Sequence, residues 1–285
     1  MTILMTGLCE KGADQIWKQC NDAMYAQGVT WLEEAAYAGD AEAWFFLGHC
    51  YSWGDGAVGF NEKKAYECYL RGASAGSARA VLGALRAGQY DEQMKQSARY
   101  SIEESYRQVR DAAEMGDVYA AWQMGEAVEW EDLADYMPQT ESVREQCLFW
   151  YERAADGGII PAMVKMGKCC QNGTYREKDE KEALRWANQC AASGEVWGLF
   201  QMGEHYRQEE DWEAAFQYDY AAAKQGSSRA MLYLGQMYLN GQGTERDIQA
   251  AVQALEGAAA RNEAESFEEL GNLFYQDELV ERDDE

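Results

Sequence analysis

The chain is 285 residues long, with only two prolines, 47% apolar residues and a formal net charge of −25 from 50 acidic against 25 basic residues. That balance argues against direct binding to nucleic acid or to an anionic membrane, because phosphate contacts require clusters of Lys and Arg. Runs of Val, Ile and Thr are scarce while Ala-rich amphipathic stretches are long, so an all-helical protein is favoured over a strand-built one.

The N-terminal stretch "MTILMTGLCEKG" has no Lys or Arg ahead of its short apolar segment, and no small-x-small cleavage site comes after it. No apolar run approaches the ~20 residues needed to span a bilayer, and a cytoplasmic location is expected. Residues 13–38 read as a half-degenerate helical hairpin, so residues 1–40 are expected to form an N-terminal cap. The eight cysteines, Cys9, Cys20, Cys50, Cys68, Cys147, Cys169, Cys170 and Cys190, form no C-x-x-C pair. Buried free thiols in a reducing compartment are the expectation.

From Gly39 onward a phrase recurs: "GDAEAWFFLGHCY" (39–51), "GDVYAAWQMGEAV" (116–128), "GIIPAMVKMGKCC" (158–170), "GEVWGLFQMGEHY" (194–206), "GSSRAMLYLGQMY" (226–238) and "NEAESFEELGNLF" (262–274), with a weaker copy from Gly76. The spacings of 37, 40, 42, 36, 32 and 36 residues mark a helical repeat array. A second phrase, an aromatic or Leu followed by Ala-Ala and then Gly, precedes each leading glycine, as in Trp150-Tyr151, Ala154-Ala155 and Gly158. Each unit therefore reads as helix A with Leu-Gly-x-x-Tyr, a turn, and helix B with Ala-Ala. A glycine inside helix A costs about 1 kcal/mol against Ala. Gly48, Gly125, Gly167, Gly203, Gly235 and Gly271 are expected where A and B backbones meet. The leading glycines, replaced by Asn262 in the last copy, should take the left-handed conformation that ends a helix, and Asp247 should cap the helix after it.

This set of motifs resembles the Sel-one-like repeat, a branch of the tetratricopeptide superfamily, most completely at Ala230–Asn262. The resemblance implies an all-α, right-handed α-solenoid superhelix of antiparallel helix hairpins. The expected organisation is an N-terminal hairpin (1–40), six repeats (41–77, 78–117, 118–159, 160–195, 196–227, 228–262), and a C-terminal helix with an acidic tail (263–285). Departures are the missing Leu-Gly in the second repeat, the insertion "EWEDLADYMPQTESVREQ" (129–146), and the short A–B turn "RQEEDW" of the fifth.

No nucleotide-binding, calcium or nucleophile-elbow motif is present, and "GDGAVG" (54–59) lacks a following Lys-Ser/Thr. His49 and His205 do not sit at metal-ligand spacing. His49 and Cys50, adjacent on a helix, point apart and make a poor nucleophile–base couple. The sequence offers no catalytic, cofactor-binding or metal residues, and a non-enzyme is expected. By resemblance, helix A lines a concave groove. Its slots fall on Phe45, Phe46, His49 and Trp53; on Trp122, Glu126, Glu129 and Trp130; on Lys165 and Lys168; on Phe200 and Glu204; on Leu232, Tyr233 and Gln236; and on Glu268, Glu269 and Asn272. Aromatics beside carboxylates suit a basic protein or peptide partner. The expected function is a scaffold or adaptor. An alternative is an immunity or inhibitor protein against a basic toxin such as a nuclease, and a third is a hydrolase hidden in the groove. The 129–146 insertion, interrupted by Pro138, is a rival binding element.

Overall fold

The computed structural model describes residues 2–18, 22–54, 58–130 and 142–283. Among these, every regular element is an α-helix, and the chain divides into two compact units, residues 1–183 and 184–285. The first unit holds α1 (Thr2–Trp17), α2 (Asp22–Tyr37), α3 (Ala41–Trp53), α4 (Glu62–Ala75), α5 (Ala78–Arg86), α6 (Glu92–Ser97), α7 (Ile102–Glu114), α8 (Val118–Glu129), α9 (Val143–Asp156) and α10 (Ile160–Asn172). The next helix, α11 (Glu180–Ala192), begins at its edge and lies mostly in the second unit. That unit continues with α12 (Val196–Gln208), α13 (Trp212–Lys224), α14 (Ser228–Asn240), α15 (Ile248–Ala259) and α16 (Ala264–Asp283). The fold is an all-α solenoid of antiparallel hairpins: α1/α2, α3/α4, α5/α7 and α8/α9 in the first unit, α12/α13 and α14/α15 in the second. The second repeat is the irregular one. Its A helix is short, and α6 is inserted between its two main helices.

Local chemistry sets these boundaries. Gly39, Gly76, Gly116, Gly158, Gly194 and Gly226 all have φ between +81° and +103°, and Asn262 has φ +63°. Each stands between the end of a B helix and the next A helix, where an L side chain would be strained. The residue after the glycine then opens helix A. Asp40, Ser77, Asp117 and Ser227 accept hydrogen bonds from the first backbone N–H groups of α3, α5, α8 and α14. Asp247 caps α15 in the same way, accepting from the Ala250 N–H at 2.9 Å.

The interior glycines are notches. A Cβ built on Gly48 would come within 2.6 Å of the Tyr69 ring, one on Gly125 within 2.7 Å of the Tyr151 ring, and one on Gly235 within 2.6 Å of the Leu255 side chain. Helix B supplies that side chain seven residues ahead of its leading glycine or Asn, and places small residues three and four positions after it. Backbone proximity and a bulky plug thus replace a bulky–bulky interface. The seven described cysteines are buried, and burial pushes the Cys68 and Cys147 thiols up to about 12. Cys20, residues 55–57 of the glycine-rich turn and residues 131–141 of the insertion lie outside the described residues.

Candidate protein-interaction surface

In the first unit α3, α5 and α8 lie side by side, bound by Arg79. Its guanidinium is paired with Asp117 and lies 3.6 Å from Glu42, and its carbonyl accepts from the Gln123 amide at 3.0 Å. This brings Phe45, Phe46, His49 and Trp53 of α3 against Trp122 and Glu126 of α8, as the repeat register predicts. The surface they form is nevertheless closed at one end. Trp17, at the end of α1, stands 5.2 Å from Phe46, 5.5 Å from His49 and 5.7 Å from Trp122 between ring centroids. Tyr119 packs on the same ring and donates to Asp14 of α1 at 2.6 Å.

The expectation that Phe45, Phe46, His49 and Trp122 line an open groove is therefore corrected. Phe45 and Phe46 are 2% and 3% exposed, and His49 and Trp122 are also buried. Trp17, a large apolar side chain that enters from outside the repeat register and is itself buried, covers Phe46, His49 and Trp122, while Phe45 packs against Tyr69 and the backbone notch at Gly83. A cleft of about 20 Å³ remains beside them, bounded by His49, Trp53, Arg86 and Glu126, with room for little more than one water.

Two of the expected anchors remain open. Trp53 is 51% exposed and Trp130, the residue that ends α8, is 61% exposed. The Arg86 guanidinium lies 5.3 Å from the Trp53 ring centre and 4.9 Å from that of Trp130. Glu126 sits beneath, 3.8 Å from Arg86 and 4.0 Å from His49 Nε2. Glu129 differs from the expectation of a free charge. It is largely buried, pairs with Lys165, and accepts from the Tyr151 and Tyr175 hydroxyls at 2.8 and 3.3 Å. Burial first, and the Glu129 charge second, push the Tyr175 phenol up to about 12. Glu129 and Lys165 thus bind α8 to α10 and the turn after it, while Lys168 is exposed.

In the second unit Phe200 of α12 and Tyr233 of α14 are half-buried, with ring centres 6.1 Å apart. Arg207 covers both, 3.7 Å from the Tyr233 ring centre and 5.6 Å from that of Phe200, and its other side is paired with Asp219 of α13. Asp219 is fully buried, and burial pushes its carboxyl up to about 6 against the opposing pull of Arg207. Glu204 is half-buried and accepts from Gln201 at 3.4 Å. Leu232 is buried, correcting its assignment to the groove lining, because Leu255 and Ala258 pack with it in one core.

Trp17 is not marked by the repeat motifs. Arg86 and Arg207 do carry a signal, since Arg86 holds the slot of His49, Glu126 and Glu204 and Arg207 that of Glu129. Asp219 carries another: it occupies the helix B slot held elsewhere by Leu32, Tyr69, Val109, Tyr151, Ala187 and Leu255. Among the described residues no three His, Cys, Asp or Glu side chains gather as metal ligands do, and no helix is long and apolar enough to cross a membrane.

Comparison with known proteins agrees with this architecture. An uncharacterized protein of Neisseria meningitidis serogroup B is 27% identical over 174 residues, covering 60% of this chain and 34% of that one, so the chain spans about a third of that relative's length. The solved structure of c5321, a protective antigen of uropathogenic Escherichia coli displaying an SLR fold, is similar at a TM-score of 0.50 and 20% identity, over 90% of this chain and 63% of that one. A Sel1 repeat protein from Oxalobacter formigenes gives a TM-score of 0.46 at 22% identity, over 94% and 86% of the two chains. The Sel1 repeat family model matches residues 23–40, 41–77, 118–159, 160–195 and 228–262, more than half of the sequence. The chain belongs to the Sel1 repeat family.

Proposed function

We propose that this chain is a non-catalytic, cytoplasmic adaptor that holds a basic protein or peptide. Sel1 repeats mediate protein–protein interactions and are generally non-catalytic scaffolds, and that much comes from the family. The observation that carries the finer reading is the pair Trp53 and Trp130. Both rings are open to solvent, and both already accept the flat cation of Arg86. Surfaces that stack one guanidinium suit a partner's Arg or Lys on their outer faces. The net charge of −25 would draw such a partner in and make the association salt-sensitive. Phe200, Tyr233 and Glu204 offer a second patch of the same character. In this reading the six repeats of residues 41–262 are the binding body, and 1–40 and 263–285 are its ends.

The same charge suits a second role, an inhibitor or immunity protein that neutralises a basic toxin such as a nuclease. The two readings differ in stoichiometry. Affinity capture from a lysate at low and high salt, read by mass spectrometry, should recover several basic partners for an adaptor. An inhibitor should recover one basic protein in a tight one-to-one complex. Capture that favours acidic proteins, or that strengthens with salt, overturns the basic-partner reading in both forms.

A further inference from the structure

Between α2, α3 and α4 of the first unit lies a cavity of about 160 Å³, large enough for several waters. Leu47 and the Cys68 thiol form its buried floor. The antiparallel hairpin α3/α4 orders its charges. Arg71 lies 4.9 Å from the ring centre of Trp44, and Lys64 lies 5.0 Å from that of Tyr51. Arg71 and Lys64 are seven residues apart on α4, as Trp44 and Tyr51 are on α3. At 1.5 Å of rise per residue the two cations therefore stand at opposite ends of the cavity, about 10 Å apart. Glu67 lies between them on α4. Glu33 of α2 lines the cavity one turn from Tyr37, which packs edge-on to Trp44 at 5.2 Å. The order along the cavity is a cation, two carboxylates and a second cation.

Arg79, Arg86 and Lys165 of the same unit all meet carboxylates. Among the described residues neither Lys64 nor Arg71 is ion-paired, although Glu33 and Glu67 line the same cavity. Aromatic rings hold these two cations instead. A ring face accepts a cation's charge without using up its N–H donors, which leaves them for an anion. The Cys68 thiol, kept neutral by burial, adds no charge of its own. We infer that this cavity binds a small dicarboxylic amino acid. One carboxylate meets Arg71, the other meets Lys64, and the ammonium group lies between Glu33 and Glu67. A monocarboxylate would leave one cation unused, and a dicarboxylate without an ammonium group would set its charge against Glu33 and Glu67. The fixed rings hold both cations in place before the ligand arrives, which lowers the ordering cost of binding. The site shares no residue with the surface at Trp53 and Trp130, so either can fail without the other.

The test is isothermal titration calorimetry of the full chain with L-glutamate at low ionic strength. Saturable one-to-one binding that weakens with salt is expected. Glutamine, which lacks the second carboxylate, and glutarate, which lacks the ammonium group, should each bind about tenfold more weakly or worse. Lys64→Gln and Arg71→Gln should each weaken glutamate binding by a similar factor. Both side chains are exposed, and circular dichroism checks that the helix content of the variants is unchanged. Glu67→Gln separates the roles of the charges: it should weaken glutamate binding and strengthen glutarate binding. Absence of saturable binding up to about 10 mM glutamate overturns the proposal. So do equal affinities for glutamate, glutamine and glutarate, or glutamate binding unchanged in both Lys64→Gln and Arg71→Gln. A Glu67→Gln variant that shifts glutamate and glutarate in the same direction removes the ammonium site and overturns it as well.

Discussion

The carboxylate of Asp219 is bound by the guanidinium of Arg207 inside the second unit, in the slot where other repeats place Leu, Tyr, Val or Ala. The glycine opposite makes room for it, since a Cβ on Gly203 would lie 2.5 Å from Asp219 Oδ1. Buried ion pairs are expensive to desolvate, and removing one partner leaves a charge without compensation. Asp219→Leu and Arg207→Met should each lower stability, by about 3–5 kcal/mol. The double variant should recover most of that, because Leu255 fills the same slot against Gly235. A urea-denaturation double-mutant cycle measures this, and additive losses would refute it.

Asp219 also gives the protein a pH signature. Its carboxyl rises from an ordinary 3.8 to about 6, with burial the larger cause and Arg207 opposing it. The folded state therefore holds this proton more tightly than the unfolded state. Its contribution is fully present below about pH 3.8 and is lost as pH rises through 6. A shift of this size corresponds to roughly 3 kcal/mol. The stability of Asp219→Asn should lack this fall between pH 4 and 6.5. Parallel pH profiles for the two proteins would show that Asp219 does not titrate in this range.

The hairpins were legible in the sequence because each is fixed by local rules that repeat. The glycines with positive φ, the Asp and Ser caps and the Leu-Gly notches all fall where the phrases recur. The surface was less legible for a physical reason. Register assigns Phe46, His49 and Trp122 to a shared face, but it cannot show that a side chain from a different hairpin covers that face. Trp17 belongs to the degenerate first hairpin, so no repeat position marked it. Arg86 and Arg207 hold the slots that Glu126 and Glu129 hold in the third repeat, but spacing does not reveal which partners such long side chains reach. Glu129 looked like a free carboxylate because Lys165 and Tyr175, which bind it, are far along the chain.

The notches separate packing from helix propensity. Gly48→Ala would gain about 1 kcal/mol of propensity. It would also drive a methyl to 2.6 Å from the ring of Tyr69, which is 1% exposed and cannot yield freely. Overpacking of this kind costs about 1–3 kcal/mol, so Gly48→Ala should be net destabilising or at best neutral. Gly271→Ala meets nothing and should stabilise α16 by up to about 1 kcal/mol. Opposite shifts in urea midpoint are expected. A stabilising Gly48→Ala would mean that Tyr69 does not fill the notch.

Trp17→Ala tests the closure of the first unit. The side chain is 2% exposed and packs on Phe46, His49, Tyr119 and Trp122. Its truncation should cost about 3–5 kcal/mol. Hydrogen exchange should rise in α3 and α8 as well as in α1, because Trp17 joins all three. A loss confined to α1 would show that the contact contributes little to the hairpins it touches.

The two exposed tryptophans distinguish binding from folding. Phe45→Ala removes a core side chain and should destabilise the first unit by about 3–5 kcal/mol, so a loss of binding there would not identify an anchor. Trp53→Ala and Trp130→Ala remove rings that are more than half exposed, and each should change stability by less than about 1 kcal/mol. Each should nevertheless weaken capture of a basic partner, by about 1–2 kcal/mol. Because both rings hold Arg86, the double variant should lose less than the sum of the two. Phe200→Ala reports on the second patch, and deletion of residues 132–140 reports on the insertion next to Trp130. Titration of the captured partner against these variants ranks the surfaces. Full affinity in both Trp53→Ala and Trp130→Ala, with loss only in the deletion, would assign binding to the insertion and remove the tryptophan pair from the site.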